Sequence, residues 1–209
     1  MRSILLATAL LFAGITATVA QAQQEDYRGD AGVTYQWVHT NAGPGECGCF
    51  GLNGGAITGS WNIQNGWSAV AEVSSQLRGP SSTEPSLTVT SFLGGARYQI
   101  PKRWTDPLIN GLSTGLNSGW LKGAHRPQPF AQVLIGPAHS GGGEAGSGDH
   151  TYAFAARVGG GIDIPLKSRF EIRAIQIDWF RTQFANAKND RQNNLLIAAG
   201  ITYHWSVAK

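Results

Sequence analysis

From Tyr152 to Pro165 the chain alternates. Tyr152, Phe154, Ala156, Val158, Ile162 and Ile164 fall on one side, all apolar, while Ala153, Ala155, Arg157, Gly159, Gly161 and Asp163 fall on the other, with every charge. A period of two marks a strand, because successive side chains of a strand point to opposite faces. The segment Ala174 to Thr182 repeats the pattern, setting Ile175, Ile177 and Trp179 against Ala174, Gln176 and Asp178. From Asn193 to Trp205, Leu195, Ile197, Ala199, Ile201, Tyr203 and Trp205 oppose Asn194, Ala198, Gly200, Thr202 and His204. Five earlier segments read the same way: Ala31 to His39, Gly55 to Ile63, Trp67 to Leu77, Leu87 to Tyr98 and Phe130 to Gly136. The alternation predicts an all-β chain with an outward apolar face and an inward face of small or polar residues. A tilted strand of roughly 9–11 residues crosses a bilayer, so eight of them predict an eight-stranded antiparallel transmembrane β-barrel.

The connections have two characters. Asn41 to Asn53, Arg78 to Ser86, Ser140 to Asp149 and Ala185 to Gln192 are rich in Gly, Ser, Asn and Pro and lack periodicity, which predicts four outer loops. Gln64 to Gly66 and Pro165 to Ser168 are short, as turns on the opposite side are. Pro101 to Gln128 breaks that rule. Within it Leu108, Leu112, Leu116 and Trp120 recur every four residues, as do Gly111, Gly115 and Gly119. One reading is a short helix begun by Asp106 and Pro107, docked by its Gly stripe on the barrel rim, the membrane interface or a second copy. The other is a flexible Gly-rich loop.

The first 22 residues stand apart. Arg2, the apolar run Ile4 to Val19 and Ala20-Gln21-Ala22 have the layout of a cleaved signal peptide, leaving a single domain over 23–209. Without Arg2, 15 Lys and Arg balance 13 Asp and Glu, and no basic run exists, so nucleic acid is not an expected partner. Only 14% of the residues are charged, while the chain holds 28 Gly and seven Trp, a composition that suits a barrel better than a soluble α/β enzyme.

Candidate chemistry is sparse. Glu72, Arg97, Arg157, Asp163 and Asp178 fall on the inward face. An eight-stranded barrel is just wide enough for its own side chains, so these charges are expected to pair with one another as a structural lumen network. A turn centred near Leu166-Lys167 puts Arg157 opposite roughly residue 176 and brings Asp178 within diagonal reach, predicting an ion pair. Cys47 and Cys49 sit in the first loop, and a strained disulfide, free thiols and half of a metal site all remain open. His139-Ser140 is the one adjacent pair of hydrolase type. No partner acid lies at a recognisable spacing, and His39, His125, His150 and His204 are scattered without a metal spacing. Gly159-Gly-Gly161 lacks the helix and Lys of a phosphate loop and reads as close packing in a strand. No catalytic residue, metal or cofactor is called for.

At Phe92 to Tyr98, Pro129-Phe130, Gly159 to Asp163, Asp178-Trp179 with Thr182, and Asn193 to Trp205, the chain resembles the outer-membrane β-barrel family of OmpA/OmpX type. The resemblance implies an eight-stranded barrel in the outer membrane with its N terminus in the periplasm, surrounded by outer-membrane lipid and inserted by the outer-membrane assembly machinery. It implies a structural or surface-interaction role through outer loops whose partner the sequence does not name. The alternatives are a small passive channel and a lipid-modifying outer-membrane enzyme.

Overall fold

In a computed structural model, the structure describes residues 28–40, 50–78, 86–101, 127–141, 151–166, 169–184 and 191–205. Eight strands follow in order: β1 (Gly29–Thr40), β2 (Phe50–Gln64), β3 (Trp67–Arg78), β4 (Leu87–Gln99), β5 (Gln128–Gly141), β6 (Thr151–Pro165), β7 (Phe170–Thr182) and β8 (Gln192–Trp205). Each pairs antiparallel with its sequence neighbour, and β8 closes on β1. Strands of 12 to 15 residues exceed what a tilted span needs, so their ends extend past an apolar layer. β2 and β5 start earlier than the alternation predicts, and β5 also ends later, because Gly51, Gly55 and Pro129 blur the pattern without interrupting the ladder. Among the described residues there is no helix, and the segment expected to hold one falls at 102–126, outside them.

The register fixes the barrel's shape. Starting at Gly29 and passing through its partners Trp61, Ala69, Ala96, Val133, Val158, Trp179 and Leu195, the ladder returns to β1 at His39, ten residues further on. A shear of that size around eight strands gives a tilt of about 41° and a radius of about 8 Å. That radius leaves room for side chains and no open bore. At one end, Asn65 (φ 55°) and Gly66 (φ 81°) form the tight turn from β2 to β3, with both central residues in the left-handed region that such a hairpin needs. This is the turn end. The opposite end is the loop end, where β1, β3, β5 and β7 finish and β2, β4, β6 and β8 begin.

Two inward assignments need correction. β7 carries a bulge: Arg173 pairs with Gly200 and Gln176 with Ala198, so β7 has one residue more than β8 between those points. Ala174 is therefore exposed, not inward as its spacing from Gln176 predicts, and Glu171 and Arg173 turn inward instead. The inward face is also not uniformly small or polar. Val38, Leu52, Leu93, Leu134, Phe180 and Leu196 point into the barrel and form an apolar cluster weighted toward the loop end. The dipeptides Trp37-Val38, Phe92-Leu93, Trp179-Phe180 and Leu195-Leu196 are apolar on both faces, which alternation alone reads on one face only.

Candidate functional site

The exterior and the lumen divide the chemistry between them. Ten charged residues lie in strands, and nine of them have inward parity. Arg181 is the exception. Outward, 21 large apolar side chains are exposed among the described residues, from Val33 and Ile57 to Ile177 and Ile201. Aromatic residues border this band. Trp67 stacks near Tyr98 (centroids 4.8 Å apart) and Phe170 near Tyr203 (5.3 Å) at the turn end. His139 lies against Tyr152 (4.8 Å) at the loop end.

Inside, Arg157 is the hub and is fully buried. Its Nε and Nη2 donate to Asp178 Oδ2 at 3.1 and 2.8 Å, and its Nη1 donates to Glu72 Oε1. The register differs from the one the turn predicts: Arg157 stands opposite Phe180, and Asp178 stands opposite Gly159. The bulge and the turn shift the ladder by four residues. Asp178 remains a diagonal neighbour of Arg157, now on the other side.

Amides carry the network outward from the hub. Asp178 Oδ2 also accepts from Gln176 Nε2 at 2.6 Å and Gln132 Nε2 at 3.3 Å. Glu72 accepts from Gln36 Nε2 at 3.3 Å and Thr58 Oγ1 at 3.4 Å, and Gln76 donates to Gln36. Arg97 Nε and Nη2 donate to Gln132 Oε1 at 3.3 and 3.2 Å. Toward the turn end, Arg173 grips both oxygens of Asp163 at 2.9 and 3.0 Å and donates to Gln176 Oε1 at 3.0 Å. The Arg97 and Arg173 guanidinium carbons lie 4.8 and 4.6 Å from the Phe130 ring centroid. His204 Nε2 is 3.4 Å from Glu171, and Ser60 donates to Asp30.

All five inward charges expected from the sequence thus lie in one continuous hydrogen-bonded chain. Asp30, Glu171 and Arg173 join them in the buried lumen. The alternating segments start at Ala31 and at Ala174 and so leave these three outside. The Gly triplet makes the packing possible. A Cβ on Gly159 would collide with the Asp178 carboxylate and the Ile177 carbonyl oxygen, and one on Gly161 with the Ile175 carbonyl oxygen and the Phe130 ring.

The other candidates do not form a site. His139 and Ser140 are consecutive in β5, so their side chains point to opposite faces of the sheet and cannot act as one dyad. His39 and His204 lie on β1 and β8 with outward and inward parity respectively, and His125 and His150 fall outside the described residues, as do Cys47 and Cys49. No group of three or more His, Cys, Asp or Glu side chains that could hold a metal ion exists among the described residues.

No family model matches the chain, and no curated protein does. Solved structures do. Neisserial surface protein A aligns over 85% of this chain and 97% of its own, at 9% identity and a TM-score of 0.58. Ail, the attachment invasion locus protein of Yersinia pestis, aligns over 85% of this chain and 99% of its own, at 11% identity and a TM-score of 0.51. At such identities the likeness is one of fold. The chain has the fold of the small eight-stranded outer-membrane barrels, the architecture that the OmpA/OmpX-type resemblance implies.

Proposed function

We propose that this chain is an integral outer-membrane β-barrel, with a lumen that is a packed structural core and a working surface formed by its outer loops. The division of charge carries this reading. Exposed apolar patches on soluble proteins rarely exceed a few hundred Å². An uncharged belt running around a whole barrel, bordered by aromatic residues, needs lipid on its outside. In this reading the loop end faces outward, residues 1–22 are a signal peptide removed on export, and the outer-membrane assembly machinery inserts the barrel.

A passive channel fits less well. Phe180, Leu196, Leu134 and Val38 fill the lumen toward the loop end, and the buried Arg157 cluster fills it below them. A lipid-modifying enzyme would need His139 to act with a partner other than Ser140. The loop-borne role is further supported by the shared fold with Ail, a protein named for attachment and invasion.

Two measurements on the full-length protein test the reading. Cell fractionation should place it in the outer membrane, resistant to alkaline extraction, with a gel mobility that shifts on boiling. In planar bilayers the folded protein should give no stepwise conductance. Recovery in the soluble fraction would sink the membrane assignment, and regular conductance steps would sink the packed lumen.

A further inference from the structure

Along β7 the outward side chains read Phe170, Ile172, Ile175, Ile177, Trp179 and Arg181. The first and the fifth are aromatic, and the three between them are aliphatic. From Phe170 to Trp179 the strand runs roughly 26 Å at about 3.3 Å per residue, allowing for the bulge. At the barrel's tilt of about 41° this covers about 20 Å of height, and Arg181, one outward step further, lies about 25 Å above Phe170, the height of an apolar band, and so at headgroup depth. It is the one charged residue with outward parity in the described strands. It is half-buried, and its Nε is buried with no hydrogen-bond acceptor among the described residues. A buried donor without an acceptor is costly, more so for a guanidinium. The lumen arginines all have theirs. Across the ladder, Arg181 pairs with Ala156 on one side and Asn193 on the other. Ala156 leaves room beside the guanidinium, and the exposed Asn193 places a second donor about 5 Å away, as directly opposed side chains are. Arg191 precedes Asn193 by one outward step on the same edge.

From these placements we propose that the outer rim of β7 and β8 is a binding site for the phosphate of an outer-leaflet lipid, held by Arg181 with Asn193 beside it. The guanidinium fork matches two phosphate oxygens. Trp179, Val158 and Leu195 below it, each exposed and apolar, would lie along the lipid's acyl chains. This rests on the outer-membrane reading above.

The test uses the full-length protein reconstituted in nanodiscs with bis-phosphorylated lipid A or its dephosphorylated form, followed by native mass spectrometry of lipid retained after delipidation. The wild type should retain the phosphorylated lipid, and Arg181→Gln should lower retention about tenfold or more, the loss of one charge-assisted contact. Arg181→Lys should fall between, keeping the charge without the fork. Arg169→Gln, at the turn end, should leave retention unchanged. Equal retention of the two lipids, no effect of Arg181→Gln, or an equal effect of Arg169→Gln would each overturn the site. Displacement of lipid A by millimolar inorganic phosphate would do so too, since it would mean a free-anion site. Boiled and unboiled gel mobility is recorded for every sample. A wild type that never inserts would refute the outer-membrane reading itself, and a folded barrel without lipid selectivity refutes the site alone.

Discussion

Replacing Arg157 by Met should be the most damaging change to the lumen, and the reason is a count of charges around it. Arg157 lies between Glu72 and Asp178, all three essentially excluded from solvent. Two carboxylates share one guanidinium, and the remaining donors are the neutral Gln36, Thr58, Gln132 and Gln176. Breaking one buried ion pair strands a charge and costs roughly 3–5 kcal/mol. Arg157→Met strands two carboxylates, so its cost should reach the top of that range, about 5 kcal/mol. Asp178→Asn is different in kind. It leaves Glu72 and Arg157 as a balanced pair and keeps an oxygen to accept, so it should cost about 1–2 kcal/mol. The neutral triple Glu72→Gln, Arg157→Gln, Asp178→Asn leaves no charge to strand and should be milder than Arg157→Met alone. Urea titration of the protein in lipid vesicles measures these differences, with Trp fluorescence and the unboiled gel band as independent probes of folding. If Asp178→Asn costs as much as Arg157→Met, the guanidinium does not neutralise two carboxylates and the network is wrongly drawn.

Other perturbations separate lipid face, lumen and open surface. Ile177→Arg, outward and four residue pairs inside Arg181, should cost about 2–4 kcal/mol in vesicles, whereas Tyr152→Arg at the loop end should cost about 0–1; equal costs would contradict a lipid band of limited height. Gly159→Ala should displace the Asp178 carboxylate against backbone and lower stability by more than 1 kcal/mol in the same titration. Gly59→Ala, where a Cβ meets nothing within 4 Å, should stay within about 0.5 kcal/mol or stabilise, and a reversal of that order would show that Gly159 is not a packing requirement.

Much of this fold was legible because alternation is a local property. A side chain's face follows from its place in the pleat, so Val158 and Ile177 read as outward, and Arg157 and Asp178 as inward, without knowledge of any partner strand. The count of eight strands and the tight turn at Asn65-Gly66 followed from equally local signals. What no single strand encodes is the register between strands. β7 carries one residue more than both of its neighbours, β6 and β8, at the same place, and this bulge turned Arg173 inward and Ala174 outward against their spacing. The pairing of Arg157 opposite Phe180 depends on that bulge and on the turn together. The apolar cluster at the loop end was hidden for a related reason: in Leu195-Leu196 or Trp179-Phe180 the outward residue reads as lipid-facing, and only closure of the barrel gives the second one an interior to fill. The alternating chain determined which residues could face lipid. The ten-residue shear of the closed ladder decided which of the others would meet, because charge pairing inside a barrel depends on distances between strands far apart in sequence.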